Sequence, residues 1–329
     1  MNPSVHSDRL NRVPSVPVQP DQAFTLTELL VVVGTLAVLA LLLVPALAGT
    51  KTDSWRIQCQ NNLKQLQAGF SLFAQDHNEM LPPAGYESSG GVLTWDAYIH
   101  HYFGDTNSDS SWTQGILWAG SSPTMETIEL CPADRQPRIM WMYGPGGNLQ
   151  FAPRTYAMNS AGSTYAVDFM VDSQNGKYPL PDLNQPNRHG VGIYWSASSG
   201  SPDWDAKGYK TSVVKDPGGT ILLCELANSQ GSMGNIWPCN CLGPQPGVAN
   251  WAGLYQIDPS APTDSAHLSS GGYSEGQQLY QAHNNRFNYL FHDGHVEALK
   301  IEDTVGTASG SPLLKLTNPK GMWTVISGD

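Results

Sequence analysis

The sequence predicts an α+β fold: a long N-terminal helix, apolar in its first half and amphipathic in its second, packed on an antiparallel sheet with long loop insertions. Three observations predict it. An uncharged run extends from Leu29 to Thr50, long enough to cross a bilayer as a helix. Beyond it Cys59, Leu63, Leu66, Phe70 and Phe73 recur at spacings of four, three, four and three, which puts them on one helical stripe. From Leu81 onward the chain reads as short strands among loops, with a hairpin signal at Asp293-Gly294.

Residues 1–23 form a short polar leader in which Arg9 and Arg12 are offset by Asp8 and Asp21. Residues 24–50 follow as the membrane half of the helix, with Glu28 at its start. A carboxylate beside lipid is costly, so by default it has a function and a partner. Residues 51–78 continue the helix with Arg56 and Lys64 off the apolar stripe, and Pro82-Pro83 rules out further helix. A helix from about Phe24 to His77 would be roughly 80 Å long. Residues 79–329 form the head. Within it Thr220–Leu226 reads as a buried strand, Phe287–Phe291 and Val296–Leu299 as a hairpin spanning about 287–300, and Met322–Ile326 as a last strand. Glu87–Gly91, Gly144–Asn148, Ser196–Asp205 and Cys239–Gly247 are loops by composition.

The 329 residues carry a formal net charge of -11, from 17 basic and 28 acidic side chains. That balance argues against nucleic-acid binding, which uses Lys and Arg to neutralise phosphates. With 33 Gly and 24 Pro, the head must contain many turns. The five cysteines leave at least one thiol unpaired or intermolecular. Cys59 lies on the buried stripe, and Cys131 begins a loop able to reach it. They are either a disulfide, which an exported head would keep, or two buried thiols packing as small hydrophobes. Cys239-Asn240-Cys241 is too closely spaced for an easy mutual bond, and no second ligand pair marks it as a zinc site.

At the hairpin tip, His292-Asp293-Gly294-His295, a two-residue turn would set His292 and His295 opposite each other. With His283 upstream, a two- or three-His metal site is one reading. The other is that Asp293-Gly294 simply makes the turn, with His283 hydrogen-bonded to backbone to pin the hairpin. The turn needs Asp-Gly in either case, so no metal or cofactor is expected. Calcium at Asp168 and Asp172 lacks the spacing of a calcium loop. Gly272-Tyr273-Ser274-Glu275-Gly276 matches a hydrolase nucleophile pattern, but Leu268–Gly271 before it is loop-like, where the chemistry needs a strand. No enzyme activity is expected. Trp95, Tyr98, Trp112, Trp118, Trp141, Tyr143, Trp195, Trp204, Trp237 and Trp251 sit mostly in loop-like context. They either plug a loop-rich core or stack on sugars and partner proteins.

The segment Ala23-Phe24-Thr25-Leu26-Thr27-Glu28, followed by the apolar run, resembles the processing site of type IV prepilins and type II secretion pseudopilins. The resemblance implies cleavage between Ala23 and Phe24, methylation of the Phe24 amine, Glu28 as the assembly carboxylate that pairs with such an amine, and Pro45 as a bend. Cys59-Gln60-Asn61-Asn62-Leu63-Lys64-Gln65-Leu66, Leu81-Pro82-Pro83, Cys131-Pro132-Ala133-Asp134 and Tyr156-Ala157-Met158-Asn159 are similar to a group of pilin-like proteins of planctomycete and verrucomicrobial bacteria. That group is marked by a His, nine residues and Asp-Gly, which His283, Asp293 and Gly294 match. What this implies is a pilin-like subunit of a pseudopilus, in a type II secretion-like or surface-assembly system. Its partners would be a prepilin peptidase, an assembly platform and other pilin-like subunits. It would sit in the inner membrane as a single-pass protein, with its head on the periplasmic or extracellular side. The alternative is a membrane-tethered module whose Trp-rich loops bind glycans or a partner protein.

Overall fold

The structure, a computed structural model, describes residues 25–136, 138, 151–161, 169–170, 190–228, 230–241, 243, 275–305 and 321–325. Within them residues 42–52, 169–170, Trp237, Glu275 and Gln277 are described by backbone alone. The chain divides into two compact units, Met1–Gly49 and Thr50–Asp329. Helix α1, Leu26–Asp76, contributes to both.

In the first unit the apolar side chains point outward: Leu29, Leu30, Val31, Val33, Leu36, Val38 and Leu39 are all exposed. The expected membrane half is overturned. Among the described residues no helix is long and apolar enough to cross a membrane. The expectation of one long helix with a membrane half therefore gives way to a helix shared between two units.

In the second unit the stripe Cys59, Leu63, Leu66, Phe70 and Phe73 is buried in the core. Phe70 lies 5.6 Å from the Trp95 ring, and Asn62 Nδ2 donates to the carbonyl of Leu130 at 2.9 Å. The helix stops at Asn78 and Glu79, whose φ of 56° and 62° are left-handed, and the Leu81-Pro82-Pro83 run leads away.

The single antiparallel sheet is also corrected: the head contains two sheets, both mixed. The first takes β1 (Gly85–Ser88), β2 (Gly91–Thr94), β4 (Phe169–Met170) and β5 (Tyr194–Ser196), in the order β2-β1-β5-β4. Only β1–β2 is antiparallel there; β1–β5 and β4–β5 are parallel. Parallel neighbours need long crossovers, and the long stretch between β1 and β5 provides one. The second takes β3 (Tyr156–Asn159), β6 (Ile221–Glu225), β7 (Asn240–Cys241), β8 (Phe287–Phe291) and β9 (Val296–Leu299), in the order β7-β3-β6-β8-β9. The fully buried β3, β6 and β8 form its centre.

Short helices stand where strands and loops were expected: α2 (Trp95–Ile99), α3 (Asp109–Thr113), α4 (Pro123–Glu129), α5 (Glu275–Ala282) and α6 (Ile301–Thr304). The expected last strand is a 3-10 turn, Gly321–Trp323. Gly321 has φ 67° there, and the Trp323 indole N–H donates to Thr304 Oγ1 at 3.0 Å, so the segment plugs the core instead of joining a ladder.

Most of those aromatics whose side chains are described are core. Trp95, Tyr98, Trp112 and Trp195 are buried, Trp204 is half-buried, and Trp118 is exposed and stacked on Phe151 at 5.3 Å. Trp141, Tyr143 and Trp251 lie outside the described residues, as do Asp168, Asp172 and Gly272–Ser274. Asp96 of α2 and Arg154 form a fully buried ion pair at 2.7 Å. Gly234 N–H also donates to Asp96, and Arg154 to the Asn235 carbonyl. Glu129 is buried nearby, and neither carboxyl oxygen has a hydrogen-bond partner among the described residues. Burial, then the charge of Asp96, pushes its pKa well above the ordinary carboxylate value.

Candidate functional site

Three of the residues singled out in the sequence, Cys59, Cys131 and His283, converge at one place in the core. Cys59 and Cys131 form a disulfide that joins α1 to the loop after α4. His283 Nε2 faces both sulfurs, 3.6 Å from Cys59 Sγ and 3.5 Å from Cys131 Sγ. The opposite ring nitrogen, Nδ1, lies 3.1 Å from Glu225 Oε2. Asn288 closes the set, its backbone N–H on Glu225 Oε2 at 2.8 Å and its side-chain amide on Oε1 at 2.9 Å. All five residues are buried. A buried carboxylate is tolerated when its oxygens are met by donors, and here His283 and Asn288 supply them. With Nδ1 engaged by Glu225, Nε2 is the ring nitrogen turned to the disulfide.

Local sequence explains the placement. Cys131-Pro132-Ala133-Asp134 is a tight turn: Asp134 N–H donates to the Cys131 carbonyl at 2.8 Å, and Thr155 Oγ1 links Cys131 N–H to Asp134. His283 caps the end of α5, and its N–H donates to the Leu279 carbonyl. Asn284 and Asn285, with φ of 59° and 55°, then reverse the chain into β8. Asn tolerates the left-handed region better than other non-glycine residues. The His, nine residues and Asp-Gly spacing is thus the length of one helix end, one reversal, one strand and one turn.

The turn differs from the expected two-residue form. Leu290 pairs with Val296, and Phe291 N–H donates to the His295 carbonyl at 2.9 Å. Residues 292–294 therefore make a three-residue loop, with Gly294 at φ 93° supplying the left-handed position. His295 faces Phe291, its ring stacked at 4.2 Å, and not His292. Its Nδ1 lies 2.6 Å from Asp293 Oδ1. His292 is half-buried, and burial lowers its pKa. Among the described residues, neither His292 nor His295 joins a group of converging metal-ligand atoms. His283 does, with Cys59, Cys131 and Glu225.

No family model, curated protein or solved structure matches the chain. The resemblance to pilin-like proteins rests on its short motifs alone.

At the other end of the described chain, Ala23 and Phe24 lie outside the described residues. Glu28 is engaged by its own helix start. Its Oε2 accepts Thr25 N–H at 2.9 Å and Thr25 Oγ1 at 2.8 Å, while Thr25 Oγ1 accepts Glu28 N–H at 3.3 Å. This is a capping box. The Thr-x-x-Glu spacing was a legible signal for it. Glu225 was legible too, as the one charged residue of an otherwise apolar strand, and Asn288 less so. Cys224, Cys239 and Cys241 are buried free thiols; burial raises the pKa of Cys224 and carries that of Cys239 to about 12. Both are thereby held as unreactive thiols. A cleft of about 490 Å³, lined by Phe73, His77, Met80, Lys207 and Lys210 among others, contains none of the aromatics named for glycan stacking.

Proposed function

We propose that the protein is a pilin-like structural subunit. It is trimmed between Ala23 and Phe24 by a prepilin peptidase and packed through the residues after Phe24 against copies or relatives of itself, within a secretion-linked or surface assembly. The observation that carries this reading is the outward apolar face of residues 26–41, which begins at the Thr25–Glu28 box. Such a surface is unstable in water, and covering each half-exposed Leu or Val is worth roughly 1 kcal/mol. Helices of neighbouring subunits are a cover of the right chemistry. The Cys59–Cys131 disulfide fits a head on the periplasmic or extracellular side, where disulfides persist. The His283–Glu225 pair has a structural place in this reading: it packs against the disulfide and, through Asn288, ties it to the hairpin.

Glu28→Gln tests the reading. Gln keeps the capping box but removes the charge that would pair with the Phe24 amine of a neighbour. The variant is expected to be absent from surface filaments sheared from cells while its head melts as wild type. Incorporation at the wild-type level would contradict assembly through Glu28.

A further inference from the structure

A second histidine cluster lies in the head, where buried His100 meets exposed His101 and Asp109. His100 and His101 are adjacent in the 3-10 turn His100–Phe103 that follows α2. Their rings lie 3.8 Å apart at 36°. Asp109, the first residue of α3, brings Oδ1 to 3.1 Å from His101 Nε2 and 3.8 Å from His100 Nε2. The three atoms all lie within 4.8 Å of one another.

What separates this group from an ordinary surface network is His100. Its side chain is fully buried, yet Nε2 has no hydrogen-bond partner among the described residues. Its other nitrogen is taken: Nδ1 sits 3.0 Å from Asp105 Oδ2. Asp105 is itself fixed by the Trp112 indole N–H at 2.9 Å and by the Asn107 amide at 3.0 Å. With Nδ1 taken by a carboxylate, Nε2 is left to face His101 Nε2 and Asp109 Oδ1. This is the arrangement that orients metal-binding histidines. His101 and Asp109 are exposed, so the remaining positions around an ion would be open to water or to a group from outside.

We infer that His100 Nε2, His101 Nε2 and Asp109 Oδ1 bind one divalent first-row transition ion, with Asp105 as the positioning carboxylate behind His100. Two imidazoles and one carboxylate on one side of an ion suit zinc, nickel, cobalt or ferrous iron. They are a poor match for calcium, which takes six to eight oxygens, or for copper(I), which prefers sulfur. The site stands independently of the assembly reading.

The test uses the full chain in mild detergent, stripped with chelator and kept non-reducing so that Cys59–Cys131 stays closed. Equilibrium dialysis against zinc is expected to leave about one ion per chain. His101→Ala and Asp109→Ala, both at exposed positions, should each weaken binding about tenfold or more without moving the melting temperature, and Asp105→Asn about tenfold to a hundredfold. Cobalt should give a spectrum of nitrogen and oxygen ligands without a thiolate charge-transfer band. The inference is overturned if no zinc is retained, if the His101→Ala/Asp109→Ala double variant retains it at the wild-type affinity, or if cobalt shows thiolate ligation.

Discussion

The two units of the chain use the same kind of residue in opposite ways. In residues 26–41 leucines and valines stand outward, Leu36 and Val38 each 58% exposed, whereas Leu63 and Leu66 of the second unit are at 0%. Among the described residues the first unit shows apolar surface without buried side chains; the second has a core closed by a disulfide, a buried ion pair and two sheets. The buried contacts described are those of the head, whereas the described side chains of the first unit offer apolar surface for a partner. Substitutions should sort the same way, with head changes moving the melting transition and first-unit changes moving association alone.

The largest effect should come from opening the disulfide. Replacing Cys59 and Cys131 together by Ala releases a loop with a sequence separation of 72, and urea unfolding of the head should show a loss of about 4 kcal/mol. Next, Glu225→Ala strips the acceptor from His283 and Asn288, leaving buried donors unmet. About 3 kcal/mol should disappear, and a loss under about 0.5 kcal/mol would mean the cluster does not hold the head together. Glu129→Gln should act with the opposite sign. The folded-state pKa of Glu129 is raised above its unfolded value near 4.5. The stability it contributes is full below that value and is lost as pH rises through the folded pKa. Gln removes that loss, so the variant should melt higher than wild type at pH 7, with the advantage gone by about pH 4. Gly294→Ala places a side chain at φ 93° and should cost about 1 kcal/mol by the same urea assay. Smallest of all, Glu28→Gln should leave the head transition where it is while abolishing assembly. A shifted head transition would show that the two units are not energetically separate.

Parts of this were legible in the sequence for physical reasons. The stripe from Cys59 to Phe73 has full helical periodicity, and β6 and β8 are runs of branched and aromatic residues with turn signals beside them. The first sheet was not legible because β4 and β5 have two and three residues, too few to show an alternation. Nor did the membrane half follow: hydropathy saw an unbroken apolar run, whereas among the described residues no helix is long and apolar enough to cross a membrane. At the hairpin the Asp-Gly pair was visible, but the choice between a two- and a three-residue loop rests on where Gly294 takes its positive φ. His283 was visible as a motif residue, while its partner Glu225 came from a strand 58 residues away. His100 and His101 drew no notice because the chain after Leu81 reads as short strands and loops, where the spacing of His101, Asp105 and Asp109 carries no register; a 3-10 turn and the start of α3 bring His100, His101 and Asp109 together.

The most direct test is the N-terminal residue and mass of the protein purified from the cells that make it. The account predicts a mature chain beginning with N-methylated Phe24. A chain still beginning with Met1 would contradict it, since a subunit retaining residues 1–23 has no free Phe24 amine to meet the Glu28 carboxylate of a neighbour.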